Sequence, residues 1–179
     1  MAATTEFLTQ LRQIHQDLGI PASYLEQPPL PLCREPEVLV DTSPDFYQRP
    51  QKLIPAAHQG WLEMRAAAAR EDVVLHLISA FRGIAYQRDL IHKHLQNGRP
   101  LVEILQVVAA PGFSEHHTGR AIDLGTDNCR PLQEEFEKTD AFQWLVERAG
   151  EFGFAMTYPR DNPFGISYEP WHWCFRDQQ

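Results

Sequence analysis

Residues 21–55 carry more than half of the chain's 14 prolines, as in QPPLPLCREP. Each proline fixes φ and removes a backbone donor, so this stretch can be neither a helix nor a central strand. The same stretch holds Leu30, Leu32, Val38, Leu39, Val40, Phe46, Leu53 and Ile54, side chains poorly spent in solvent. The pattern predicts an extended strap wrapped around a body built elsewhere, with a flexible linker as the alternative.

Regular structure must then lie on either side of the strap. Before it, Phe7, Leu8, Leu11, Ile14, His15 and Leu18 recur at helical spacing until Gly19 and Pro21 stop them. After it, the alanine-rich run from Ala56 to Arg70 favours helix, EDVVLHLISAF reads as a buried strand, and a second helix runs from Ile84 to Gln96, ended by Asn97-Gly98. Residues 101–108, LVEILQVV, fit either a short helix or a strand. RAIDLGT alternates into a strand with one apolar face and one face carrying Asp123. One or two helices follow over 131–150, then short strands around FAMTY and WHWCF. The class is α+β: a small, mostly antiparallel sheet with packed helices. A length of 179 residues requires one domain only, with a helix to residue 20, the strap over 21–55 and the core over 56–179.

A formal net charge of -8 opposes non-specific attraction to nucleic acid or anionic lipid, and no basic patch offsets it. The start, MAATTEFLTQLRQIHQDLG, lacks the basic and apolar regions of a secretory signal, and no apolar stretch is long enough to span a bilayer. Cys33, Cys129 and Cys174 are odd in number, far apart and outside any CxxC pair, which argues against a disulfide framework. The expected location is the cytoplasm.

Against this ordinary background stand SEHHTGRAID, residues 114–123, and YEPWHW near the end of the chain. His116 on a turn and Asp123 on the following strand can converge at one strand end, and His172 offers a third ligand. Zinc accepts imidazole and carboxylate, and a catalytic zinc keeps three protein ligands and one open place. Glu169, three residues before His172 across Pro170, is placed to be a non-ligating carboxylate base. No helix runs comfortably through Glu-Pro-Trp-His. Spacing alone leaves a second reading open, in which His172 is a structural histidine and Asp123 a turn or cap residue.

The pattern S-x-H-x-x-G-x-A-x-D, here Ser114, His116, Gly119, Ala121 and Asp123, followed by E-P-W-H, Glu169 to His172, resembles the signature of the VanY-type D-alanyl-D-alanine carboxypeptidases. That group is related to the VanX dipeptidases and to the Hedgehog fold. SAFRGIAYQ, Ser79 to Gln87, resembles a further stretch of the same family. The resemblance implies that His116, Asp123 and His172 bind Zn2+, that Glu169 is the catalytic base, that Arg82 stabilises the oxyanion, and that Ser114 and Gln87 serve the substrate. His117 occupies a variable position and is read as non-ligating, facing substrate. Cys174 is read as core packing, with a thiolate ligand as the alternative.

The implied substrates are peptidoglycan stem peptides ending in D-alanine. A cytoplasmic enzyme that trimmed pentapeptide precursors would compete with wall synthesis, so the expectation leans to L,D-carboxypeptidase action on recycled tetrapeptides. D,D-carboxypeptidase action on D-Ala-D-Ala ends stands close behind it. A phage-type endopeptidase and a non-catalytic zinc-binding module are the readings from other classes, the last disfavoured by the presence of Glu169 and Arg82.

Overall fold

The computed structural model describes residues 2–177. In chain order the elements are α1 (Ala2–Asp17), α2 (Ser23–Glu26), β1 (Val40–Thr42), β2 (Gln51–Leu53), α3 (Pro55–Arg70), β3 (His76–Ser79), α4 (Ile84–Gln96), α5 (Leu101–Ile104), β4 (Ala121–Gly125), α6 (Asp140–Arg148), β5 (Phe154–Met156) and β6 (His172–Phe175). Strands β1 and β2 form a small antiparallel pair, and the main sheet is antiparallel throughout in the order β3-β4-β6-β5. None of the described helices is long and apolar enough to cross a membrane.

The helix limits follow from local chemistry. Pro55 sits at the start of α3, where its missing N–H costs nothing. Thr139 caps α6 by accepting from the Phe142 N–H (3.2 Å). Helix α4 is capped from outside, since the Glu35 carboxylate on the strap accepts from the Ile84 N–H at 2.6 Å and favours the positive end of the helix dipole. Residues 101–104 resolve as helix, and the chain leaves it before Pro111-Gly112.

One difference from the sequence pattern has a physical cause. The strand in EDVVLHLISAF is confined to His76–Ser79, because its partner β4 ends opposite His76 at Gly125 and earlier residues have nothing to pair with. Strand β4 has no solvent face: all five of its residues are buried. On one face Ile122 and Leu124 join Trp61, Met64, Leu145, Phe154 and Trp173 in a core built from α3, α6 and the sheet. The other face carries Asp123. A second apolar cluster, including Leu18, Ile91, Ile104, Phe113 and Tyr158, ties α1, α4 and α5 together.

The strap is not extended throughout: it opens with the one-turn helix α2, where Ser23–Glu26 precede the closely spaced prolines, before running on through β1 and β2, and its apolar residues divide. Leu30 and Leu53 are buried, Leu39, Val40 and Ile54 half-buried, and Leu32, Val38 and Phe46 exposed. Much of its attachment is polar. The Ala80 N–H donates to Gln51 Oε1 (2.9 Å), the Phe81 N–H donates to the Lys52 carbonyl (3.1 Å), and Arg49 donates to the Ile78 carbonyl (3.0 Å). These bonds fasten β2 and its approach to the end of β3.

Helix α3 meets the body most closely at Gly60, where an added Cβ would stand 2.6 Å from the Phe152 carbonyl oxygen and 3.1 Å from the Phe175 ring. Alanine ordinarily gains about 1 kcal/mol over glycine inside a helix. Here Gly60→Ala should instead lose about 1–3 kcal/mol through overpacking, read as a lower denaturant midpoint at unchanged slope; a neutral or stabilised variant would contradict this seating of α3.

Candidate metal centre and cleft

Asp123 and His172 are direct register partners across β4 and β6. Opposed residues on an antiparallel pair project to the same face with Cβ atoms about 4.5–5.5 Å apart, so the ladder itself brings this carboxylate and imidazole together. His116 arrives from a 3-10 turn, Glu115–Thr118, that leads into β4. The turn closes through Gly119, whose φ of +66° suits glycine and whose Cβ would lie 2.7 Å from Leu39. On the far side of β6, Glu169 and His172 bracket a turn closed by the His172 N–H donating to the Glu169 carbonyl (3.1 Å), with Pro170 at the position that favours such a turn.

His116, Asp123 and His172 are all buried and can each offer one donor atom, all within 4.8 Å of one another. His116 Nε2 and His172 Nδ1 both lie 3.2 Å from Asp123 Oδ1. That is long for a charge-assisted hydrogen bond and close to the edge of about 3.3 Å between ligands of a tetrahedral zinc. The opposite ring nitrogens are already engaged: His116 Nδ1–H donates to the Ala80 carbonyl (2.6 Å), and His172 Nε2–H donates to Glu115 Oε2 (3.0 Å). Such outer bonds fix the tautomers that leave the inward nitrogens free for a metal. The donor set therefore fits a zinc ion.

Electrostatics separate the titratable groups. Burial, with the Arg82 charge, pushes His116 down to about 4. Burial acts the same way on His172, but its bonds to Asp123 and Glu115 overcome it and raise the imidazole to about 9, so that a metal at Nδ1 would have to displace a proton. Asp123 is held far below the usual carboxylate range, against its burial, by the two histidines and Arg82. Burial drives Glu169 up to about 7, with Asp123 adding to the rise and His172 and Arg82 opposing it. Glu169 Oε2 lies 3.9 Å from His172 Nδ1, and Arg82 Nη2 lies 3.9 Å from Asp123 Oδ2.

Arg82, Ser114, His116, Asp123, Glu169 and His172 all line one cavity of about 620 Å³. Gln87 does not reach it. This side chain is buried behind the wall and donates from Nε2 to the Ala109 carbonyl (2.9 Å), which shapes the cleft without facing it. His117 likewise points away from the cavity: fully buried, it bonds through Nδ1 to the Arg82 carbonyl (2.5 Å), while the Arg82 N–H donates to the His116 carbonyl (3.2 Å). The adjacent histidines thus divide labour, one turned to the metal-ligand group and one pinning the arginine loop. Cys174 lies outside the ligand group, and burial raises its thiol.

Glu115 is the site residue that the sequence reading passed over. Besides His172, it accepts from Thr157 Oγ1 (2.7 Å) and Arg176 Nη2 (2.8 Å). Burial alone would raise it, but these partners bring it down to about 2. Tyr158 is a second omission; it lines the cleft with its ring 4.8 Å from that of His172.

Comparison with known proteins finds relatives both in sequence and in structure. The family model VanY, D-alanyl-D-alanine carboxypeptidase, matches residues 50–178. The chain is 33% identical over 156 residues to the bifunctional D-Ala-D-Ala dipeptidase and carboxypeptidase VanXYC of Enterococcus gallinarum, covering 82% of this chain and 78% of that protein. It is 32% identical over 119 residues to a D-alanyl-D-alanine carboxypeptidase of Enterococcus faecalis, covering 60% of this chain but 42% of that longer protein. Among solved structures, the LD-carboxypeptidase LdcB superposes with a TM-score of 0.71 at 28% identity, over 79% of this chain and 69% of that one. The D,D-pentapeptidase VanY, crystallised with Zn(II), gives 0.62 at 23% identity, over 81% and 86%.

The Glu115 carboxylate should govern how firmly a divalent ion is held. Glu115→Ala should weaken zinc binding by about 10- to 100-fold, with Glu115→Gln, which keeps an acceptor for His172, losing less. Competition against a chromogenic chelator measures this, and parental affinity in both variants would remove Glu115 from the role.

Proposed function

This chain belongs to the VanY family of D-alanyl-D-alanine carboxypeptidases, and we propose that it is a zinc carboxypeptidase releasing C-terminal D-alanine from peptidoglycan stem peptides, by L,D cleavage of tetrapeptides. The observation that carries the reading is the buried His116–Asp123–His172 group opening onto the same cleft as Glu169 and Arg82. His116 Nε2, Asp123 and His172 Nδ1 would hold the zinc. Bound there, zinc supplies polarisation of the scissile carbonyl and lowers the pKa of water to about 7.

The chain's own groups do the rest. Glu169, raised by burial to about 7, is matched to taking a proton from the attacking water and returning it to the leaving amine. The Arg82 guanidinium, held in place through its backbone by His116 and His117, meets negative charge that develops on the carbonyl oxygen in the tetrahedral state, where such help counts most. Ser114, buried at the cleft wall, orients the substrate. The L,D choice is supported by the likeness, at 28% identity, to the LD-carboxypeptidase LdcB. D,D cleavage of pentapeptides is the second reading, favoured by the sequence identity to VanXYC.

Zinc-loaded protein incubated with tetrapeptide and pentapeptide in parallel should release D-alanine from the tetrapeptide, followed by mass spectrometry, and chelator should abolish release. Release from pentapeptide alone would transfer the enzyme to the D,D class. Glu169→Ala should retain zinc yet lower kcat by about 10²–10⁴-fold; an active Glu169→Ala would overturn the assigned base.

A further inference from the structure

The cleft continues well past the metal-ligand group. Beyond Arg82, the side chains of Tyr86, Leu90 and His94 follow at four-residue intervals along α4, and all three line the cavity. Four residues of helix advance about 6 Å, so the stripe from Tyr86 to His94 covers about 12 Å of wall. Arg99, just past the end of α4, also lines the cavity, as do Val107 and Val108. An extended peptide advances about 3.3–3.6 Å per residue, so this arm has room for three to four residues. A single released alanine has no use for it.

The charge of the arm differs from that of the metal end. The carboxylates lining the cavity are Asp123 and Glu169, both beside the histidines. Along the arm the charged side chain is cationic. Arg49, elsewhere on the wall, is already paired with Asp45 at 2.6 Å. Arg99 has no such partner: among the described residues no carboxylate lies within 4 Å of it, and its Nη2 donates to the backbone carbonyl of Glu103 at 3.4 Å. Asp89, on α4 itself, is paired with Arg88 and lies off the cavity. What sets Arg99 apart is its place: a guanidinium with no ion-pair partner at the end of a long apolar cavity wall.

We propose that this arm is an acyl-side subsite for a free carboxylate, bound by Arg99 with His94 beside it, while Tyr86 and Leu90 carry the intervening peptide. The enzyme then selects stem peptides bearing an acidic group upstream of the bond that is cut, over peptides with an amide or amine at the same place. This rests on the carboxypeptidase reading for the position of that bond. A guanidinium gives a carboxylate a charge-assisted, bidentate partner that a carboxamide cannot match.

The test uses pairs of synthetic tetrapeptides ending in D-alanine that differ only in whether one upstream group is a free carboxylate or a carboxamide. Zinc-loaded wild type should favour the carboxylate member by about two- to fivefold in kcat/KM, as befits a half-exposed pair. The preference should reside in KM and shrink as ionic strength rises. Arg99→Gln should bring the ratio close to one, and His94→Gln should reduce it in part. Equal turnover of the pair by wild type, or a preference that survives Arg99→Gln, would overturn the subsite. Calorimetric binding of the same pair to zinc-loaded Glu169→Ala separates the two readings. Discrimination in binding without cleavage by wild type would retain the subsite and defeat the carboxypeptidase reading. Cleavage without discrimination would do the reverse, and the absence of both would overturn both.

Discussion

Asp123 on β4 and His172 on β6 face one another across an antiparallel ladder, and this pairing couples the burial of charge to the register of the sheet. Side chains alternate along a strand, so a slip of one residue in either strand would turn that strand's polar group into the apolar face held by Leu124 and Trp173. A bare carboxylate there would cost several kcal/mol. The same apolar face that stabilises the sheet therefore enforces the arrangement of the polar one. The turns on either side are then obliged to meet this pair: Gly119 lets His116 arrive from one direction, and Pro170 returns Glu169 from another.

Charges buried this densely persist because each has a partner of opposite sign or a fixed hydrogen bond. Asp123 receives both imidazoles and the more distant guanidinium of Arg82; Glu115 receives His172, Thr157 and Arg176. The two carboxylates share His172 and hold it from opposite sides. Glu169 is the member left without a hydrogen-bonded cation, and its elevated pKa records that exclusion. Environment alone thus gives three neighbouring carboxylates three different characters, two of them on the cleft wall and Glu115 behind it.

Much of this was readable from residue types and spacing. Helix α4 falls on the sequence limits Ile84 to Gln96, because Gly83 and Asn97-Gly98 punctuate it. For His116, Asp123 and His172 spacing alone left two readings open, and it was the resemblance carried by S-x-H-x-x-G-x-A-x-D and E-P-W-H that grouped them. Glu115 was not legible. A glutamate opening a turn looks like solvated charge, and its partners Thr157 and Arg176 lie 42 and 61 positions away. Gln87 shows the opposite failure, a polar residue in a motif whose side chain serves the wall behind the site. The strap was judged by its apolar content, but β2 and its approach are fastened largely by Arg49, Gln51 and the Lys52 carbonyl, polar contacts that no hydropathy pattern encodes.

The three cysteines are free, and the thiols of Cys33 and Cys174 are kept protonated by burial, so no covalent bond links distant parts of the chain. An ion held by Asp123 and His172 would bridge positions 49 residues apart, enclosing α6, β5 and the segment that leads to Glu169. Unlike a disulfide, such an ion would leave on unfolding, so it would favour the folded chain through preferential binding to a site that only the folded chain offers. Binding of an ion at this group would then be linked to the stability of the carboxy-terminal third as well as to the chemistry of the cleft, so that a chelator would bear on both.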